Sequence, residues 1–231
     1  MNKEVLLDEA IINFEIAQLA KELKQKYNSL CRALGSEHPK PRFILVSVLT
    51  GASVFSVKLL QALSKAGIDA ELNNLTASSY GNNTHSSGKV IINPLFNLEE
   101  LQDEFVVVAE DVIDLGITLR DIVNLLKEHQ PLSLHVAAMC RKRGTQTTKI
   151  DIPESNLLVG FDVLGSWLEG SGIDTRSLGR GNPSVVAVVN SDSERDEVKA
   201  YRESLLACYV KLYPNFYTYL VLNDGLNALT S

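Results

Sequence analysis

Nine residues, Glu110-Asp111-Val112-Ile113-Asp114-Leu115-Gly116-Ile117-Thr118, carry the most chemistry per position in this chain. Two adjacent carboxylates repel one another, and that repulsion is relieved by hydroxyl donors or by a divalent cation. The loop Asp114 to Thr118 supplies backbone N–H groups, Gly116 and a Thr hydroxyl directly before a helical pattern. Unpaired amides and the helix dipole at such a place both favour an anion, a phosphate above all. Carboxylates for sugar hydroxyls beside an amide nest describe a ribose-5-phosphate site. The competing reading is an ordinary acidic strand-to-helix turn with Asp114 near the cap. G-x-x-x-x-G-K-[ST] is absent, and so is G-x-G-x-x-G after a strand, which weakens triphosphate and dinucleotide readings.

The elements that position these nine residues follow from periodicity. Phe105 to Ala109 is an apolar run of strand length, and Leu119, Ile122, Val123 and Leu126 recur at helical spacing up to His129. Leu134 to Met139 is a strand again, so a right-handed crossover and a parallel sheet are expected. Phe43 to Val48 reads as a strand covered on both faces, followed by Leu49-Thr50-Gly51 and a helix through Leu59, Leu60 and Leu63. Leu157–Phe161 and Val185–Val189 add runs to the same α/β sheet domain, and ligands of such sheets bind at the strands' carboxyl ends. Residues 5–30 have the spacing of an amphipathic helix, stopped by Pro39 and Pro41. The polar stretch Ser78 to Gly88 reads either as a surface excursion or as a mobile lid. From Ser191 a charged run passes into Tyr209, Tyr213, Phe216, Tyr217 and Tyr219, which reads as a helical appendage.

Composition bounds the function. The chain has 231 residues, 45% hydrophobic and 22% charged, enough for one sizeable core with an appendage. Twenty-two Lys and Arg against 28 Asp and Glu leave a net charge of −6, which argues against a sequence-independent nucleic-acid coat. No run approaches the roughly 20 apolar residues of a membrane-spanning helix. Cys31, Cys140 and Cys208 form an odd set without metal-ligand spacing, which points to free thiols in a reducing compartment and a cytoplasmic protein.

The segment VVVAEDVIDLGITL resembles the phosphoribosyl pyrophosphate signature of the type I phosphoribosyltransferases. LVSVLTGASVF, ASSYGNNTHSSGKV, AAMCRKR and VGFDVLGSWLEGSGIDTRSLGRGNP, in family order over about residues 43–190, narrow the resemblance to the hypoxanthine-guanine branch. The resemblance implies a mainly parallel central sheet flanked by helices and a small hood. It stops near residue 190 and says nothing of the tail, so the chain is expected to divide into a phosphoribosyltransferase domain, 1–190, and a C-terminal helical extension, 191–231. It also implies Mg²⁺-dependent transfer of the 5-phosphoribosyl group from phosphoribosyl pyrophosphate to hypoxanthine or guanine, with release of pyrophosphate. The alternative on the same fold is a non-catalytic sensor of phosphoribosyl pyrophosphate.

Carried over residue by residue, the resemblance gives Glu110 and Asp111 the ribose hydroxyls and the neighbourhood of the metal. It gives Asp114 the purine N7 and the role of proton acceptor, and assigns Asp114, Leu115, Gly116, Ile117 and Thr118 to the phosphoribosyl group. Lys142 would meet the purine 6-oxo group, Trp167 would stack on the base and the Leu168 backbone would meet its edge. Asp174 would serve both the purine pocket and a metal ion, and Arg180 would contact pyrophosphate with Thr50 and Gly51. Ser79 and Tyr80 would belong to a loop that closes over the substrate. Bottom-up, Lys142 is otherwise one of three solvated cations, and a lone Trp is more often core. Two positions depart from the family pattern: Thr50 stands where a Lys is usual, and Leu115 stands where a Thr is usual. Loss of one neutral donor costs on the order of 1 kcal/mol, so weaker substrate binding is expected before loss of chemistry. A homo-oligomer, dimer or tetramer, is the family expectation.

Overall fold

The structure is a computed structural model that describes residues 2–79, 90–145, 148–175 and 177–222. By compactness the chain divides into residues 16–163 and residues 1–15 with 164–231.

In the 16–163 unit, the strands are β2 (Phe43–Leu49), β3 (Ala70–Ser79), β4 (Val90–Pro94), β5 (Phe105–Ile113), β6 (Ser133–Lys142) and β7 (Leu157–Val163), after a β1 (Asn2–Leu7) that belongs to the other unit. They form one sheet in the order β4-β3-β2-β5-β6-β7. Every pair is parallel except β3 with β4. The apolar run of β5 is buried from Phe105 to Ala109, because helices cover a parallel sheet and leave neither face for polar side chains. Helix α1 runs Glu9–Leu34, α2 Ser53–Lys65 and α3 Ile117–Glu128. α3 turns Leu119, Ile122, Val123 and Leu126 into a core shared with Ile44, Val46, Val106, Val108 and Val136. Tyr27 of α1 packs edge-on against Phe43 and Phe105 and donates its hydroxyl to the Pro41 carbonyl, 2.8 Å away.

The strand order fixes where a ligand can enter. From β2 the chain works outward through β3 and β4, whereas from β5 it works outward the other way through β6 and β7. The reversal falls between β2 and β5, and the carboxyl ends of strands flanking such a point leave a crevice. Those ends are Leu49-Thr50-Gly51 and Glu110 to Asp114, the two loops singled out by residue type.

In the other unit, β1, β8 (Trp167–Glu169) and β9 (Val185–Val189) form a three-stranded antiparallel sheet in the order β1-β9-β8. Two expectations are corrected here. Residues 5–7 are strand, not the start of the first helix, because Val5 and Leu7 take pairing partners Val186 and Val185. Val185–Val189 is likewise not part of the parallel sheet but lies between β1 and β8. An apolar run gives strand propensity and burial, not the sheet it joins. Helices α4 (Asp192–Leu212) and α5 (Phe216–Leu222) follow. Ser191 caps α4 by accepting from the Glu194 amide. Phe14 meets Tyr209, Tyr213, Phe216 and Tyr219 edge-on, with ring centroids 4.9–6.0 Å apart. That cluster gives the aromatic end of the sequence its partner. Among the described residues no helix is long and apolar enough to cross a membrane.

Candidate active site

A cavity of about 450 Å³ opens at the switch point of the six-stranded sheet. Its lining includes Leu49 and Gly51 after β2, Glu110 on β5, and the whole run Asp114 to Leu119. Gly116 caps α3 with φ +76°, a left-handed conformation that glycine adopts without Cβ strain, and no side chain caps the helix. The acidic-turn reading had Asp114 near the cap; the cap is Gly116 instead. Among the described residues no side chain caps α3, and its first residues line the cavity, which suits an anion. The Thr148 amide donates to the Leu115 carbonyl, and a Cβ at Gly116 would come within 3.3 Å of the Thr148 carbonyl oxygen. Thr148 thus lies against the loop at two successive residues. Leu115 is 47% exposed, an apolar side chain on a phosphate-type loop.

The acidic pair is built tightly. A Cβ on Gly51 would lie 2.1 Å from Oδ2 of Asp111, so the β2 loop approaches β5 only because residue 51 has no side chain. Asp111 Oδ1 accepts from the Val112 amide at 2.8 Å. Burial first, and the Asp111 charge second, push Glu110 well above the ordinary carboxylate range. A carboxyl pair in that state gains from hydroxyl donors or from a cation. Among the described residues no three His, Cys, Asp or Glu side chains converge as a metal site. The donor set still fits Mg²⁺, which keeps waters and substrate oxygens and needs only one or two carboxylates.

Asp114 and Lys142, from different strand ends, meet: Nζ to Oδ2 is 2.8 Å, with the Lys side chain 15% exposed. Lys142 is therefore not an anonymous solvated cation. Its strand neighbour Arg141 is committed elsewhere, to Asp162, through two hydrogen bonds of 2.6 and 3.0 Å. Thr50 follows a cis peptide bond and accepts through its carbonyl from the Ser53 hydroxyl at 2.7 Å. Ser79 ends β3 opposite Val90, and Tyr80 lies outside the described residues.

The structure places the remaining sequence candidates in the other unit. Trp167 opens β8, 58% exposed, and Leu168 beside it is buried and paired with Ala187. Asp174 forms an ion pair with Arg180 at 2.6 Å and accepts from the Ser177 amide. Arg180 also donates to the Gly172 carbonyl at 2.6 Å. The lone Trp is thus not core. Two contacts escaped the sequence: the Asp114–Lys142 pair, whose members are 28 positions apart, and Thr175, whose hydroxyl accepts from the Trp167 indole at 2.6 Å. Neither has a spacing signal, since both arise where separate loops close.

The geometry has a counterpart among known proteins. The family model of the phosphoribosyl transferase domain matches residues 4–159. A hypoxanthine-guanine phosphoribosyltransferase of Mycobacterium avium is 32% identical over 173 residues, 74% of this chain and 78% of the relative. The chain belongs to the hypoxanthine-guanine phosphoribosyltransferase family. Another such enzyme, from Dictyostelium discoideum, is 29% identical over 175 residues, 75% of this phosphoribosyltransferase and 88% of its relative. In fold, a solved hypoxanthine phosphoribosyltransferase from Staphylococcus aureus is similar with a TM-score of 0.66 at 23% identity. The match covers 80% of this chain and 91% of that one. This phosphoribosyltransferase is an enzyme of the type I fold, as its motifs led one to expect.

Proposed function

We infer that this phosphoribosyltransferase moves the 5-phosphoribosyl group of phosphoribosyl pyrophosphate onto a 6-oxopurine, hypoxanthine or guanine, giving IMP or GMP and pyrophosphate. One observation carries the reading: the half-buried Glu110 and an uncapped helix N-terminus line one cavity at the sheet's switch point, and Asp111 rests against Gly51, which also lines it. The 5-phosphate suits the amides of Gly116, Ile117 and Thr118 with the Thr118 hydroxyl. Leu115 adds only a backbone group where the family pattern has a hydroxyl. Glu110 and Asp111 suit the two ribose hydroxyls, which would donate into carboxylates that otherwise repel one another.

Asp114 is the group to accept the purine N7 proton, and Lys142, a donor with no acceptor capacity, selects a 6-oxo over a 6-amino group. In the absence of substrate the two hold each other; an incoming base offers each a new partner. Trp167 has an exposed face for stacking, worth about 1–3 kcal/mol for a base on an aromatic. Leu168 would offer its backbone to the edge of the base. Arg180, with Thr50 and Gly51, is assigned to pyrophosphate, and Glu110, Asp111 and Asp174 would hold Mg²⁺. Bound there with substrate oxygens, the metal supplies charge neutralisation for the departing pyrophosphate.

A cytoplasmic salvage enzyme, assembled as a homo-oligomer and with residues 191–231 as an extension of a 1–190 catalytic domain, completes the proposal. A steady-state assay with phosphoribosyl pyrophosphate, Mg²⁺ and each of hypoxanthine, guanine, xanthine and adenine tests it. Turnover of hypoxanthine or guanine and none of adenine is expected. Folded protein that turns over no 6-oxopurine would sink the reading.

A further inference from the structure

Trp167 is the only tryptophan of the chain and stands 58% exposed at the start of β8. A ring more than half exposed is held by less packing than a buried one, and whatever order it lacks before binding costs affinity. Here the indole Nε1–H donates to Oγ1 of Thr175 at 2.6 Å. An indole nitrogen only donates, so the Thr hydroxyl must accept and its own proton is left to point elsewhere.

Glu169, two residues after Trp167 and 4% exposed, carries a carboxylate held by Lys3 of β1. The Lys3 hydrogen bond lowers the carboxyl below its usual range against the opposing push of burial, with a smaller push the same way from Thr175. The Trp167–Thr175 hydrogen bond and the Glu169–Lys3 ion pair thus both anchor side chains of β8. The backbone at Thr175 is pinned independently: its amide and carbonyl exchange hydrogen bonds of 2.9 and 3.0 Å with Leu178. Gly179, at φ +86°, leaves the space in which the Glu169 carboxylate sits, and a Cβ there would meet it at 3.0 Å.

We propose that Thr175 is a positioning residue for the base: held through its backbone by Leu178, its hydroxyl fixes the plane of the Trp167 ring before a planar ligand arrives. The inference rests on the reading that Trp167 stacks on the purine. It assigns part of base affinity to a residue that touches no substrate.

The test compares Thr175→Val, which keeps shape and removes the hydroxyl, with Thr175→Ser, which keeps the hydroxyl. Thr175→Ala gives the same comparison should the Val variant not fold. Because the protein has one tryptophan, emission maximum and anisotropy report on this ring alone. Thr175→Val should shift the emission, lower the anisotropy and raise KM for hypoxanthine or guanine about two- to tenfold. KM for phosphoribosyl pyrophosphate should stay put, and Thr175→Ser should restore all three. Emission and anisotropy unchanged in Thr175→Val would overturn the inference. So would a changed emission with unchanged KM for the base, or equal rises in both KM values. Failure of the reaction reading looks different: wild-type protein then turns over no 6-oxopurine, and the emission comparison still decides whether Thr175 holds the ring.

Discussion

The Lys142 ammonium lies 2.8 Å from the Asp114 carboxylate, joining the end of β6 to the loop that follows β5. The pair puts a carboxylate acceptor and an obligate donor side by side, with Asp114 on the wall of the cavity proposed for the ribose phosphate. A 6-oxopurine presents the complementary pair, an acceptor oxygen and a ring N–H. Asp114→Asn keeps the shape and removes the base. We expect kcat to fall by about 10²-fold or more, with the dissociation constant of the nucleotide product changed less than about threefold. Isothermal titration beside steady-state kinetics checks this, and parallel losses in both would argue against a base role.

Gly51 and Asp111 form the second tight relationship. Gly51→Ala would drive a methyl to 2.1 Å from Asp111 Oδ2, so the carboxylate must move. Overpacking of this kind costs about 1–3 kcal/mol. If Asp111 serves the ribose hydroxyls, KM for phosphoribosyl pyrophosphate should rise about tenfold or more, while KM for the base changes little. A KM unaffected by the methyl group would remove Asp111 from the sugar site.

Leu115 offers the opposite test, a gain. The residue is 47% exposed beside the α3 cap, and Leu115→Thr would place a hydroxyl on the loop proposed for the 5-phosphate. One neutral hydrogen bond is worth about 1 kcal/mol, so affinity for phosphoribosyl pyrophosphate should rise about fivefold. Unchanged affinity would mean that side chain 115 does not face the phosphate.

Stability should depend on pH through His135. The ring is buried and stacked on Phe105 at 4.5 Å, with Nε2 2.8 Å from the Ser133 hydroxyl. Its Nδ1 has no partner among the described residues. Burial, aided by the charge of Lys26, lowers its pKa from 6.5 to about 4. The unfolded chain therefore takes up a proton first as pH falls. The contribution is complete above pH 6.5, declines between 6.5 and about 4, and amounts to at most about 3 kcal/mol. Urea denaturation across that range should show the decline, and His135→Phe should flatten it; identical slopes in both proteins would refute the assignment.

Particular elements show how far the sequence reaches. Phe105 to Ala109, the glycine at 116 and the helical spacing from Leu119 made the strand–loop–helix unit readable, because local backbone demands and burial on both faces leave a pattern in consecutive residues. The same logic failed at Val5 and Leu7 and at Val185–Val189, where the strand partners lie almost the whole chain apart. No local signal says which edge a strand will find.

By itself the sequence determined β2, β5, β6 and β7, the glycine-bearing loop between β5 and α3, the acidic pair and the family, since each depends on residue types at fixed short spacing. Tertiary structure alone decided that Asp111 rests against Gly51, that Asp114 holds Lys142 and that Trp167 leans on Thr175. The first two depend on how neighbouring strand ends come together and the third on how the chain after β8 folds back on it, and none of these closures leaves a periodicity to read.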